Sequence, residues 1–245
     1  MKGMILAGGL ATRLRPLTLV TNKHLLPVYN KPMIYYPLEA VAKAGIKEVL
    51  VSSSPIHAGD FTNLLGAGEE FGLKIYYAVQ KNPKGGIADA IALAEEFAQN
   101  EKLLVVLGDN IFNFNLKDAV NKFEKTEKGA IVFGVKMPTE SKQYGVIELD
   151  SDGRVLSIEE KPDNPKSNIA QTGIYMYDSR VFDFVKNLTP SAREELEVTD
   201  LNNFYLKEGT MQCEIIDWWI DAGTSHDELL HANNMVYDKI RKGEL

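Results

Sequence analysis

The residues best suited to chemistry stand at the start of the chain. Leu6-Ala7-Gly8-Gly9-Leu10-Ala11-Thr12-Arg13-Leu14-Arg15-Pro16-Leu17-Thr18 is followed by Lys23 and by Leu25-Leu26-Pro27-Val28. Gly8 and Gly9 let backbone N–H groups come close to an anion, because no Cβ intervenes. Arg13 offers a planar fork for phosphate oxygens and Lys23 a compact point charge. An apolar run, a glycine turn and two cations together suit a polyphosphate. The spelling excludes two familiar phosphate loops. No Gly-Lys-Ser/Thr follows Gly8 at P-loop spacing, and the position three after Gly9 is Thr12, where a dinucleotide fingerprint needs glycine.

Two aspartates stand where a metal–phosphate complex would lie. Leu103-Leu104-Val105-Val106-Leu107-Gly108-Asp109-Asn110 is an apolar strand ending in an acid, and Trp218-Trp219-Ile220-Asp221-Ala222-Gly223-Thr224 is a second. Ligands of open α/β sheets sit outside the carboxyl ends of strands. Two carboxylates with triphosphate oxygens and waters make an octahedral Mg²⁺ site. Gln80 precedes a loop, Lys81-Asn82-Pro83-Lys84-Gly85-Gly86, that runs into a helix. By residue type alone this reads as a polar loop with an N-cap, although a glutamine amide donates and accepts at once. Tyr144-Gly145-Val146, Ile158-Glu159-Glu160-Lys161-Pro162 and Gln171-Thr172-Gly173 lie on later strands. By residue type alone, Glu-Glu-Lys reads as a solvated hairpin edge.

The opening string, with Lys31-Pro32-Met33-Ile34-Tyr35-Tyr36-Pro37, resembles the signature of the sugar-nucleotide pyrophosphorylases, the nucleoside-triphosphate:sugar-1-phosphate nucleotidyltransferases. The likeness spans essentially the whole chain and is greatest to members that use dTTP. It implies catalytic roles for Arg13 and Lys23. It implies nucleotide contacts from Leu6, Gly8, Gly9, Gln80, Asp109 and either Gly85 or Gly86, and Mg²⁺ on Asp109 and Asp221. On the sugar phosphate it implies Tyr144, Gly145, Glu160, Lys161 and Thr172, and Arg193 matches a further family arginine. The sequence departs from the family at two glycines, which are Ala11 and Glu194 here. An alanine would strain the first loop if that position needs positive φ.

The implied reaction joins dTTP and α-glucose 1-phosphate to give dTDP-glucose and pyrophosphate. The attacking phosphate is already anionic, so no Ser/His/Asp machinery is needed; the four histidines form no metal-ligand pattern. Mg²⁺, Arg13 and Lys23 would neutralise the triphosphate and hold the reacting groups in line. The alternatives are a UTP-dependent enzyme of the same class and a non-catalytic nucleotide-sugar sensor. A glycosyltransferase would need an Asp-x-Asp motif, and Asp150-Ser151-Asp152 reads better as a hairpin turn before Gly153.

These groups need a scaffold. Strands are expected at Met4–Ala7, Glu48–Ser52, Lys74–Ala78 and Leu103–Gly108, alternating with helices at Ile34–Ala44, Asp60–Leu65 and Ile87–Ala98. The strands are Val/Ile/Leu runs, as in a parallel sheet covered on both faces. Ala130–Val135, Val146–Leu149, Val155–Glu159, Gly173–Tyr177 and Met211–Ile216 read as further strands. Helices are expected at Val181–Lys186, Thr199–Lys207 and about Ser225–Arg241. The predicted fold is α/β and Rossmann-like, a mostly parallel mixed sheet flanked by helices, with antiparallel sugar-binding additions. It forms one domain over 1–245, with a nucleotide-binding half to about 125 and a sugar-binding and assembly half beyond.

The 245 residues carry a net charge of −7, 44% hydrophobic and 25% charged residues, and a single cysteine, Cys213. No basic stripe argues for nucleic acid, and no apolar run approaches the ~20 residues of a membrane span. One cysteine excludes an intrachain disulfide. The expected location is the cytoplasm and the expected assembly a homotetramer. The chain stops soon after the last helix, so end-product inhibition altered from that of longer relatives is also expected.

Overall fold

In the computed structural model, residues 1–82, 84–139 and 142–245 are described. The chain opens with β1 (Lys2–Ala7), followed by single 3₁₀ turns at Thr12–Leu14, Leu17–Leu19 and Lys23–Leu25. A short hairpin, β2 (Pro27–Val28) and β3 (Lys31–Pro32), leads into α1 (Tyr35–Lys43). The βα alternation then runs through β4 (Glu48–Ser53), α2 (Ala58–Leu65), β5 (Lys74–Val79), α3 (Gly86–Ala92), α4 (Glu95–Ala98) and β6 (Leu103–Leu107). Next come β7 (Asn110–Phe112), α5 (Leu116–Glu124), β8 (Ala130–Lys136), β9 (Val146–Leu149), β10 (Val155–Glu159) and β11 (Ile169–Tyr177). The chain ends with α6 (Val181–Lys186), α7 (Val198–Lys207), β12 (Met211–Ile216), β13 (Trp219–Asp221) and α8 (His226–Lys242).

Nine strands form one sheet. β6, β1, β4 and β5 are parallel neighbours. β11 adds antiparallel to β6, β8 antiparallel to β11, and β12 parallel to β8. The antiparallel β9–β10 pair joins at the start of β11. The period-two alternation of strand side chains explains why the apolar runs are unbroken. Ile5, Val49, Val51, Leu104 and Val106 enter one core with Leu38 of α1, Phe61 of α2 and Phe123 of α5. Met4, Leu6, Leu50, Leu103 and Val105 enter the opposite core with Ile91 of α3, Val185 of α6 and Leu201 of α7.

A third cluster positions the site directly. Ala232 and Val236 of α8 pack with Val28, Ile111 and Ile220, so the last helix clamps the β7–β13 pair that carries Asp221. Ser225 caps α8, its hydroxyl accepting from the Glu228 N–H at 3.1 Å.

The expected elements are present, with differences of physical origin. The helix expected over Ile87–Ala98 divides into α3 and α4, because Leu93 and Ala94 tighten into three-residue hydrogen bonds to Ala90 and Ile91. α5 and the β2–β3 hairpin were not anticipated. β11 begins four residues earlier than expected, at Ile169, because Gln171 and Thr172 are polar yet buried. Asp150 is consumed by its own turn, its carboxylate accepting from the Asp152 and Arg154 N–H groups at 2.9 and 2.8 Å. The hairpin reading of Asp150-Ser151-Asp152 therefore holds. Among the described residues no helix is long and apolar enough to cross a membrane.

Candidate active site

A cleft of about 360 Å³ opens at the carboxyl ends of β1, β5 and β6 and extends over β11. Leu6, Gly8, Gly9, Arg13, Lys23, Gln80, Gly86, Asp109, Tyr144, Gly145, Glu160, Lys161, Thr172 and Asp221 all line it. Of the residues singled out from the sequence, Gly85 alone is off the wall. It lies one residue back, its carbonyl accepting from the Leu196 N–H at 2.9 Å, while Gly86 adopts φ +85° on the wall.

At the end of β5, the Gln80 amide is fixed by two acceptors. Its Nε2 donates to the Gly86 carbonyl at 3.1 Å and to the Asp89 carboxylate at 2.9 Å. Both N–H groups are spent, so only Oε1 remains for a ligand. This narrows the sequence expectation of an amide that both donates and accepts. Oε1 also explains Gly8, where any Cβ would stand 2.7 Å from it.

The cations sit on turns tied to β1. Asn22 binds the Ala7 carbonyl through Nδ2 at 3.2 Å and accepts from the His24 N–H at 2.9 Å. The same Asn22 oxygen faces His24 Nδ1 at 2.7 Å, so that nitrogen carries the proton. Burial, reinforced by Lys23, drops the His24 pKa to about 3 and keeps the ring neutral. Ahead of this turn, Ala11 takes φ +44°, the left-handed conformation an L-residue adopts at a cost of ~1–2 kcal/mol. Glu194, the other departure from the family glycines, also has positive φ, at +60°.

Lys23 and the two aspartates form one centre. The Lys23 ammonium pairs closely with Asp109 Oδ2, and Asn110 Nδ2 donates to Asp109 Oδ1 at 3.0 Å. Burial pushes the Asp109 pKa up, but the Lys23 charge outweighs it and holds the carboxyl below its usual range. Burial and then the Asp109 charge push Asp221 upward. Burial opposes the Lys23 charge, while Asp109 and Asp221 raise its pKa above the ordinary lysine value. Two acids whose charges oppose each other, with one cation between them, are chemically fitted to a divalent ion. Gly223 seals the arrangement, because a Cβ there would lie 2.4 Å from Asp109 Oδ2 and 2.9 Å from Lys23 Nζ. Gly223→Ala is therefore expected to displace Lys23 from Asp109 and to lower turnover by ~10²-fold while leaving the fold intact. Steady-state rates beside a thermal melt test this; a variant at full rate would show that the close approach is dispensable.

At the end of β10, Glu160 accepts from the Thr199 hydroxyl at 2.9 Å and faces Lys161 at 3.5 Å. Tyr144 stands edge-on to Trp219 at 5.0 Å. The Thr172 hydroxyl donates into the sheet, to the Phe133 carbonyl at 2.8 Å, so toward the cleft it can act only as an acceptor. Arg193 is held in a bidentate pair with Glu197, at 3.1 and 2.8 Å, and lies 3.6 Å from Glu160. Its loop is sewn to the nucleotide loop, since Leu196 also accepts from the Ala88 N–H at 3.2 Å.

Several lining residues carry no sequence signal of their own. Asn110 Oδ1 accepts from the Gly173 N–H at 2.7 Å and from Trp219 Nε1 at 2.6 Å, joining β7, β11 and β13 beneath the cleft. Glu197 and Tyr175 were also not anticipated. Their partners stand only four residues away, Arg193 for Glu197 and Gln171 for Tyr175.

Comparison with known proteins places this geometry. The family model described as nucleotidyl transferase matches residues 2–239. A glucose-1-phosphate thymidylyltransferase of Neisseria meningitidis is 46% identical over 242 residues, covering 96% of this chain and 82% of that protein. One from Mycolicibacterium smegmatis is 43% identical over 241 residues, with the same coverages of 96% and 82%. A crystal structure described as a glucose-1-phosphate thymidylyltransferase from Bacillus anthracis, in complex with sucrose, superposes with a TM-score of 0.90 at 44% identity, over 96% of this chain and 94% of that one. A UDP-glucose pyrophosphorylase complexed with UDP-glucose shares the fold, with a TM-score of 0.84 at 24% identity, over 97% and 98% of the two chains. The chain belongs to the nucleotidyltransferase family, in its glucose-1-phosphate thymidylyltransferase group.

Proposed function

We infer that the chain transfers a thymidylyl group from dTTP to α-D-glucose 1-phosphate, releasing pyrophosphate and forming dTDP-glucose. The observation that carries this reading is that Arg13, Lys23, Asp109 and Asp221 line one cleft with the Gln80 amide and the Glu160–Lys161 pair. The base is held at Gln80 and the sugar at Gly145 and Glu160. Arg13 and Lys23 lower the negative charge that the phosphate of glucose 1-phosphate meets as it attacks the α-phosphorus. Holding attacker and leaving group in line supplies the remaining acceleration. Mg²⁺, held by Asp109 and Asp221, would supply Lewis-acid charge neutralisation of the triphosphate.

The direct test is pyrophosphate release from dTTP and glucose 1-phosphate. A binding module on the same scaffold would retain nucleotide sugar and release none. The metal role has its own test. Asp109→Asn and Asp221→Asn remove charge but little volume, so each is expected to fold and to lose Mg²⁺-supported turnover. A double variant that kept both its rate and its dependence on added Mg²⁺ would make the aspartates structural. We further propose a cytoplasmic enzyme that assembles as a homotetramer; sedimentation as a monomer would sink the assembly.

A further inference from the structure

One polar side chain on the sugar side of the cleft has an unmet bond. Gln171 lies early in β11, 7% exposed, and its backbone N–H donates to the Gly145 carbonyl at 2.8 Å. The β11–β8 register shifts between Gln171 and Tyr175, so Thr172, Gly173 and Ile174 stand opposite Phe133 alone. Both flanking residues, Gln171 and Tyr175, line the cleft. Gln171 Nε2 contacts the Tyr175 hydroxyl at 3.3 Å, and Oε1 finds no hydrogen-bond partner among the described residues. The side chain runs directly under Gly145, whose ideal Cβ would lie 3.3 Å from Gln171 Cβ and 3.6 Å from its Nε2.

A buried amide oxygen without a donor is unfavourable, so a wall built this way is complete only when a ligand supplies one. Exchanging oxygen and nitrogen of the amide leaves one polar atom for the cleft in either orientation. A hydroxyl satisfies both cases, because it donates and accepts. The chain's immediate neighbours here are Gly145 and Thr172, and Thr172 has already spent its one hydroxyl proton on Phe133.

We propose that Gln171 is a specificity-determining residue that hydrogen-bonds one hydroxyl of the hexose 1-phosphate and turns the enzyme against analogues lacking it. The proposal rests on the sugar-phosphate reading above and adds a residue to it. Its physical basis is asymmetric. A site built around a buried hydrogen bond rejects a substrate that cannot make it far more strongly than an apolar wall rejects a change in size.

The test compares kcat/KM for glucose 1-phosphate with that for each of its monodeoxy analogues, at saturating dTTP, in the wild type and in Gln171→Leu. In the wild type, the analogue lacking the paired hydroxyl is expected to fall by roughly tenfold to a hundredfold. In Gln171→Leu that analogue and the parent are expected to differ by less than about threefold, while the ratios for the other analogues stay as they were. A residue that only supported the fold would lower every substrate alike. Tyr175→Phe, which frees the amide but keeps the ring, is expected to shrink the same single ratio. The proposal is overturned if no ratio changes in either variant, or if the wild type accepts every deoxy analogue as well as the parent. A wild type inactive on glucose 1-phosphate itself would instead overturn the underlying reading of the reaction.

Discussion

Lys23→Ala is expected to lower kcat by ~10²–10³, with the KM for glucose 1-phosphate changing much less. The ammonium lies against Asp109 and is drawn by Asp221, so it is held in place before substrate arrives. A preorganised cation stabilises charge developing in the transition state without reorganisation, and its loss appears in turnover more than in binding. The substitution also leaves Asp109 buried without its partner, a change that costs ~3–5 kcal/mol in comparable buried pairs. Rates should therefore be scaled to the folded fraction, read from a melt of the same sample. Mg²⁺ titration separates the roles. Lys23→Ala should bind the metal at least as well as the wild type, because two acids lose a competing cation, while the aspartate variants should bind it worse. Arg13→Ala should follow the same kinetic pattern. A folded Lys23→Ala at near-normal kcat would remove Lys23 from the chemistry.

The parts of this site legible in the sequence are those whose chemistry is local. Gly8 with Gly9, the Gly108–Asp109 step and the Asp221–Gly223 step each mark a strand end at which a charge meets close-packed backbone. The parallel strands were legible because burial on both faces makes them continuous apolar runs. What was hidden depends on distant partners. Nothing near Gln80 says that Asp89 and Gly86 will consume both amide N–H groups. Nothing near Gln171 marks it as buried, and its polar neighbour Thr172 made the first half of β11 read as loop. α5 does not fit that rule: Leu116, Ala119, Val120 and Phe123 repeat at i, i+3, i+4 and i+7 behind the Asn115 cap, so its helical period is present in the sequence. The conditional strain at Ala11 was legible, since φ is positive there; that Glu194 is strained in the same way was not. In both cases the surrounding fold overrides a local preference worth ~1–2 kcal/mol.

Base selectivity follows from the hydrogen bonds of Gln80. With Nε2 committed to Gly86 and Asp89, the proposed contact to the base is an acceptor, Oε1. Thymine and uracil offer an imide N–H to that oxygen, whereas cytosine offers a lone pair at the same ring position. CTP is therefore expected to fall below dTTP in kcat/KM by at least ~10²-fold, because two acceptors would face each other away from water. Uracil lacks only the methyl, worth ~1–3 kcal/mol in an apolar pocket, so UTP should be disfavoured by tens of fold and not excluded. Purine triphosphates should be poor if Gln80 reads a pyrimidine edge, as the family resemblance implies. Asp89→Asn tests the cause, because its amide can donate as well as accept. Gln80 is then free to turn its own N–H toward the cleft, and the discrimination against CTP should shrink by about tenfold. Measuring kcat/KM for dTTP, UTP, CTP and ATP in the wild type and Asp89→Asn decides the matter. A preference for UTP would move the reaction to the uridylyl branch. A CTP ratio unchanged by Asp89→Asn would show that the orientation of Gln80 is not what reads the base.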